Sequence, residues 1–484
     1  MNFKFVLYIP FILLFFPAFA FYVPFLNGVY LIFFLFAYFI IAIFIYNLKD
    51  IIKKIISIIK NTPLKIYVLF LILAILNSVF LASIRVTTFG ITIRSVILQI
   101  FLYIIPVYIV FLYTIDKYIS YEKVIKLFYT LFWIYMILGL IAYLGQLFNI
   151  YAINTLFDFF ANARKINFDK AINFDLMPAS NYEAFGLPRL DNLSVEPSFY
   201  ACFIYLFIPL IYQLSSSKNR LYKNLFCEKM IKTTIIPLTW INVILTQSPI
   251  FLVLTTIITI LFLNEKLKRE KRVIYYIYCI VSIFCFSLLF ITFGMNLEII
   301  QNTFISRIVN TVQSLTSIEE FSLTEPSLAT RMLSFFNQFC LFLKHPFSGV
   351  GIGNVGYQIV SVYMYSPLPL TPEMQLKLQL ALMSNSKLMI NQNVICYLLA
   401  ENGIFIFLIF IYFHLLLYRD LIKTMKSNSL SKLMLDVGVG LKVCWFSITI
   451  WFFYESSLLR LDYMFVYILI ICYIYRVKKY YMKG

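Results

Sequence analysis

Apolar runs of about twenty residues recur along this chain, and no other feature of the sequence constrains its folding as strongly. The stretches from Asn27 to Asn47 and from Leu64 to Ile84 are largely uncharged. Each has the length a helix needs to cross a hydrocarbon layer roughly 30 Å thick at about 1.5 Å per residue. A helix also satisfies its own backbone hydrogen bonds inside lipid. With 62% hydrophobic, 19% aromatic and only 13% charged residues among 484, the chain carries more apolar surface than a soluble fold buries. The expected fold is therefore all-α: one polytopic integral membrane domain over residues 1–484.

Spans are expected near 5–25, 28–47, 64–84, 94–115, 124–148, 197–214, 232–246, 249–264, 273–293, 392–418, 437–454 and 460–476. The pair around Thr246-Gln247-Ser248-Pro249 is open to a second reading, as one kinked helix or a re-entrant turn. Residues 2–20, with Lys4 and Ala18-Phe19-Ala20, mimic a signal peptide. They are read here as a retained first span, because that choice makes the downstream charge count consistent. Starting inside, the cytoplasmic segments collect 28 of the 40 basic residues, although the outer segments are much longer. That bias supports about twelve spans with both termini cytoplasmic.

A net charge of +18 raises the question of nucleic acid. The basic residues are spread through short segments between apolar runs, so the lipid bilayer is the expected partner and nucleic acid is not. The eight cysteines show no paired spacing and mostly sit in apolar runs, which points to neither a disulfide framework nor a zinc site. No Asp-x-Asp pair occurs, so no metal or other cofactor is expected.

Two outward segments are long, 149–196 and 294–391, and chemistry is expected there. The second holds a helix expected from Ala329 to Phe347 and another from Thr371, with Thr371 capping and Pro372 at the first helical position. Both are read as surface helices, able to lie over the membrane as a lid. Arginine is enriched outside: Arg85, Arg94, Arg164, Arg189, Arg307, Arg331 and Arg460 are seven of the twelve outer basic residues, against five of the 28 inner ones. A guanidinium fork grips diphosphate or carboxylate oxygens in pairs, where lysine acts as a point charge. Salt bridging to Asp191, Glu196, Glu319, Glu320 or Glu325 is the competing explanation.

Two segments concentrate the candidates. In Gly186 to Ala201, Arg189 is placed to hold a diphosphate and Asp191 or Glu196 to act as general base on a sugar hydroxyl; the alternative is a helix cap and a surface ion pair. In the second, Arg331 precedes Lys344-His345-Pro346-Phe347-Ser348-Gly349-Val350-Gly351-Ile352-Gly353-Asn354. Alternating Gly349, Gly351 and Gly353, with Asn354, can turn amides toward an anion, or form only a tight turn. A dinucleotide site is excluded, because no βαβ context surrounds these glycines. His345 and His414 are read as packed residues.

Taken in order, Arg189 with Glu196-Pro197-Ser198-Phe199, Leu245-Thr246-Gln247-Ser248, the outer loop with Arg331 then His345-Pro346-Phe347-Ser348-Gly349-Val350-Gly351-Ile352-Gly353-Asn354, and Glu401-Asn402-Gly403-Ile404 resemble the O-antigen polymerase and O-antigen ligase superfamily over residues 180–420. The resemblance implies a GT-C-like architecture. It also implies a bacterial inner-membrane glycosyltransferase that uses polyprenyl-diphosphate-linked (undecaprenyl-type) glycans at the outer face to build O-antigen, lipopolysaccharide or capsule polysaccharide. Arg189 and Arg331 match the family's functional arginines, Arg307 is a further outer candidate, and a chain-length regulator and a flippase are the implied partners. Two positions depart from the pattern: Pro249 stands where arginine is common, and Gln392-Asn393 where a His-Asn pair is common. The missing histidine favours polymerase over ligase. A flippase of lipid-linked oligosaccharide is the rival from another class; it should line its midplane with ionisable groups, which most of these runs lack.

Overall fold

The computed structural model describes residues 48–84, 120–153, 197–217, 224–246, 249–270, 326–383, 393–427, 430–453 and 461–480, with isolated positions between them. These form thirteen helices. They are α1 (Leu48–Asn61), α2 (Leu64–Ile84), α3 (Tyr121–Leu147), α4 (Pro197–Ser216), α5 (Leu225–Leu245), α6 (Pro249–Glu270), α7 (Pro326–Lys344), α8 (Val355–Gln358), α9 (Val360–Met364), α10 (Pro372–Met383), α11 (Val394–Met425), α12 (Lys432–Trp451) and α13 (Leu461–Tyr480). A two-residue antiparallel pairing, β1 (Glu183–Ala184) with β2 (Leu187–Pro188), is the sole strand structure among the described residues. The expected spans near 5–25, 28–47, 94–115 and 273–293 lie outside the described residues.

Local chemistry explains where these helices begin. Pro197, Pro249, Pro326 and Pro372 are each the first helical residue, the position where a missing N–H costs nothing. Ser120, Asn224, Asn393 and Ser431 cap α3, α5, α11 and α12 by accepting hydrogen bonds from first-turn amides. Among the described residues, four helices are long and apolar enough to cross a membrane: Leu64–Ser83, Tyr121–Leu147, Val394–Met425 and Lys432–Trp451.

At the centre lie α4 and α13, buried without interruption over residues 200–214 and 465–475. A helix apolar on every side belongs inside a bundle. Gly440 lets α12 close onto α4, since a Cβ there would lie 2.9 Å from Leu210 Cα. Buried polar groups tie the same helices. Gln213 Nε2 and Ser217 Oγ both donate to Asp436, at 2.9 and 2.7 Å, and Tyr200 OH donates to Asn242 Oδ1 at 2.7 Å. The helices on either side of Thr246-Pro249 resolve into α5 and α6, and both pack mainly on α4 rather than on each other. No disulfide links the six described cysteines.

Residues 326–383 form a small helical cluster of their own. Leu333, Leu341, Val350, Val355, Ile359, Val362, Tyr363, Met374 and Leu378 make its core, together with Ala400 of α11. Helix α7 begins and ends three residues earlier than the sequence suggested. Pro326 starts it, and Pro346 disfavours helical geometry at His345 and ends it. The start of α10 matches expectation: Thr371 Oγ1 accepts from Met374 N at 3.3 Å and shares a hydrogen bond with Thr330 Oγ1 at 2.8 Å.

Candidate functional site: a broken span clasped by a glycine loop

Helix α11 is interrupted at Gly403, whose backbone sits at φ 74°, ψ 173°, a region essentially restricted to glycine. A break inside an apolar segment strands backbone groups that must find partners. Residues 346–354 supply them. Val350 N donates to Ala400 O and Gly351 N to Glu401 O, both at 2.8 Å, while Ile404 N donates to Pro346 O at 2.9 Å. The loop thus takes the place of the missing helical turn.

The approach is close enough to demand glycine on both sides. A Cβ on Gly349 would lie 2.5 Å from the Glu401 carbonyl, and one on Gly403 would lie 2.1 Å from Phe347 O. Gly349, Gly351 and Gly353 all adopt positive φ, at 63°, 88° and 80°. Helix α2 holds the other edge of the loop: Ile352 N donates to Ser78 Oγ at 2.9 Å, and Asn77 Nδ2 donates to Ser348 O at 2.7 Å.

This geometry differs from the anion cradle expected of Gly349, Gly351, Gly353 and Asn354. Gly349 N donates to His345 O and Asn354 N to Gly351 O, and Gly353 N donates to Glu401 Oε1 at 3.0 Å. Every amide from 349 to 354 is therefore engaged within the protein. The positive-φ glycines are needed for close backbone approach, and the amides they orient are spent on the broken helix.

Glu401 is the residue that sequence reasoning quoted but did not single out. Its side chain is 5% exposed, and its Oε1 also accepts from Tyr397 OH at 3.1 Å. Asn402 Nδ2 lies 3.4 Å from Oε2. Asn402 Oδ1 is buried and finds no donor among the described residues. No described cation pairs with Glu401. The signal that could have found it was present: a carboxylate inside an apolar run is expensive, and is a functional hypothesis by default.

Arg331 stands on the first third of α7, half-buried. Counted along the helix, it lies about 20 Å from Lys344, where the clasp begins, so the structure places Arg331 and the glycine loop at opposite ends of α7. The helix itself is inside out. Thr330, Ser334, Asn337 and Gln338 are fully buried, whereas Met332, Phe335, Phe339 and Leu343 are 40–59% exposed. The polar side is satisfied inward. Tyr363 OH and Ser334 Oγ lie 2.9 Å apart, and Gln338 Oε1 accepts from Asn393 N at 3.3 Å. Burial holds the Tyr363 hydroxyl well above the usual phenol range. Outside the clasp, Phe347 and Phe405 stack at 5.9 Å with both rings exposed. The apolar row of α7 thereby runs on toward exposed Phe405, Leu408, Tyr412 and Leu415 of α11.

Arg189, Asp191, Glu196 and Arg307 lie outside the described residues. Pro197, which follows them, opens α4 as expected. Asn393, at the position where the family pattern favours a His-Asn pair, is the cap of α11 and also donates to Phe453 O at 2.5 Å. His414 is a packed core residue: its ring stacks on Trp445 at 4.3 Å and its nitrogens meet Tyr467 OH and Thr449 Oγ1, each at 2.9 Å. Among the described residues no cluster of histidine, cysteine and carboxylate side chains has the arrangement of a metal site. No protein-family model and no curated protein matches the sequence.

Proposed function

We propose that the protein is a metal-independent membrane glycosyltransferase that polymerises polyprenyl-diphosphate-linked repeat units into a surface polysaccharide. The observation that carries this reading is the clasp. Two of the four segments that carry the resemblance, Phe347 to Asn354 and Glu401 to Ile404, are about fifty residues apart in sequence, yet they form one hydrogen-bonded unit. On this reading the protein has about twelve spans in a bacterial plasma membrane, both termini are cytoplasmic, and the site opens on the outer face. The donor is the growing chain on its lipid diphosphate. The acceptor is a hydroxyl on the next lipid-linked unit, and the lipid diphosphate leaves with the bonding pair. The inside-out polarity of α7 supports a position against lipid, which sets Arg331 at headgroup level, where a guanidinium can hold the departing diphosphate. Arg189 and Arg307 are proposed to share that load, with Asp191 or Glu196 receiving the acceptor's proton.

One observation favours a second reading. A span broken around a buried carboxylate is a construction that secondary transporters use at their binding sites, so export of a lipid-linked oligosaccharide is the alternative from another class. Detergent-solubilised protein supplied with lipid-linked repeat units separates the two, because a micelle offers no compartments to cross. Polymerase activity predicts a ladder of lengthened products on a gel. A protein that forms no ladder in micelles but moves substrate across proteoliposomes is an exporter, and one that transfers finished glycan only to a different lipid acceptor is a ligase.

A further inference from the structure

Beyond its part in the clasp, Glu401 stands where α11 changes direction. Asn393 Nδ2 donates to Phe453 O at 2.5 Å, and Phe452 packs against Phe410 and His414 at 5.7 and 5.0 Å. Residues 393 and 414 would lie about 31 Å apart along one straight helix, yet both meet residues 452–453. Helix α11 therefore doubles back at Gly403 as two legs, 394–402 and 404–425. The second leg is about 33 Å long, enough to cross a hydrocarbon layer, so the apex lies at one face of that layer. The first leg brings its C-terminal end, the negative end of its dipole, to the same point.

Two buried acceptors sit at that end. Glu401 is 5% and Asn402 1% exposed. Gly353 N and Tyr397 OH both donate to Glu401 Oε1, at 3.0 and 3.1 Å. Among the described residues, Oε2 meets only Asn402 Nδ2, at a long 3.4 Å. Asn402 Oδ1 belongs to the same amide, so it lies within a few ångström of Oε2, and it has no donor among the described residues. None of the ion pairs among the described residues includes Glu401. A carboxylate taken out of water without a countercharge is costly, and so is a buried carbonyl oxygen without a donor. One positive charge between these two oxygens would answer both.

We propose that Glu401 Oε2 and Asn402 Oδ1 form a binding site for a monovalent metal cation, with sodium as its probe. Oxygen ligands suit a hard cation. A single carboxylate matches a single charge, and no cluster of histidine, cysteine and carboxylate groups among the described residues offers the several anions of a divalent site. Membrane proteins that bind sodium use the same parts, the C-terminal end of a half-helix and broken backbone inside an apolar segment. A cation held there neutralises Glu401 and leaves Oε1 to accept from Gly353 N, so it tightens the clasp. The rival occupant is a proton shared by the two side chains.

The test uses the purified full chain in detergent, exchanged into choline chloride and titrated with sodium chloride at constant ionic strength. Trypsin cleavage after Lys344 reads opening of the loop. A ligand of the closed form lowers the open population by one plus the ratio of its concentration to Kd. Cleavage should therefore slow about tenfold at ten times the half-saturating sodium, and the thermal midpoint should rise over the same range. Glu401→Gln keeps an acceptor for Gly353 N and Tyr397 OH. It should melt with the wild type in choline and show no sodium response. Asn402→Ala should respond only at severalfold higher sodium. A wild type indifferent to sodium would overturn the proposal, whatever the variants do. A full sodium response in Glu401→Gln would place the ion elsewhere and overturn it too, and a half-saturation unchanged in Asn402→Ala would remove Oδ1 from the site. Protection that follows pH but not sodium would assign the two oxygens to a proton instead. Neither readout involves glycan, so failure here leaves the polymerase reading standing.

Discussion

Replacing Gly403 with alanine tests the break in α11 by the sign of its effect. In the structure Gly403 occupies φ 74°, ψ 173°, which costs about 1–3 kcal/mol for a residue with a side chain. The added Cβ would sit 2.1 Å from Phe347 O and 2.4 Å from Phe347 C. Relief requires the loop and the helix to part, which lengthens the bonds from Val350 N, Gly351 N and Ile404 N. Each such bond is worth about 0.5–1.5 kcal/mol net. Together the expected destabilisation is about 3–7 kcal/mol. If the helix instead ran straight through Gly403, the same substitution would stabilise it by about 1 kcal/mol, the ordinary gain of alanine over glycine. The measurement is the thermal midpoint of the detergent-solubilised protein followed by size-exclusion chromatography, with trypsin cleavage after Lys344 as a local readout of a released loop. A midpoint equal to or above that of the wild type, with no faster cleavage, would refute the clasp.

Glu401→Gln keeps an oxygen to accept from Gly353 N and Tyr397 OH, so its thermal midpoint should match the wild type. If the carboxylate handles a proton, the product ladder should shrink by about a hundredfold or more; a fully active variant would confine Glu401 to holding the loop. Glu401→Ala leaves two buried donors unsatisfied and should cost about 2–6 kcal/mol in the same thermal assay. Arg189→Lys should lose most polymerisation although the charge is kept, because a bidentate grip needs the fork; normal product length at matched protein levels would assign Arg189 to ion pairing. Tags inserted near 220, 268 and 430 should be cytoplasmic and tags near 170 and 320 external, and an internal tag at 320 would invert the placement of the outer cluster.

The sequence was informative where structure follows from neighbours in the chain. Proline at the first turn located the starts of α4 and α10, and Thr371 acted as the expected cap. Apolar length located the described spans, with ends set by caps such as Asn393 and Ser431. The break at Gly403 could not be read in this way, because its stability comes from Pro346, Val350 and Gly351, some fifty residues away. The glycines announced positive φ correctly but carried no information about which acceptors their amides would meet. Polarity misleads for α7, whose Thr330, Ser334, Asn337 and Gln338 mark a wet face by residue type and yet lie fully buried. Lysine content similarly concealed α1, which reads as a simple connector until Ile51 and Ile58 are seen to be buried.

The geometry also limits which residues can act on the same atoms. Gln338 of α7 meets Asn393 at the head of α11, and Pro346 meets Ile404 further along, so α7 and α11 run side by side in the same direction. Arg331 is seven residues before Gln338, about 10 Å beyond the head of α11, and Glu401 is eight residues after Asn393, about 12 Å into it. Their separation of about 22 Å along the helices exceeds what one diphosphate spans. In the proposed reaction Arg331 therefore serves the lipid-diphosphate end of the ligand, and Glu401 acts on the opposite part or through the loop it holds. Arg331→Ala should reduce turnover by a factor on the order of a hundred, as the loss of a transition-state donor does, without lowering the thermal midpoint. Two groups this far apart with no shared partner contribute independently, so the losses in Arg331→Ala and Glu401→Gln should multiply when the changes are combined. Groups acting as one unit behave otherwise, the double change costing little more than the worse single one. Initial rates from gel ladders of the two single variants and the double variant decide between these outcomes. A double variant no slower than Arg331→Ala would place both residues on a single chemical step, and would require α7 to move along α11 before the reaction occurs.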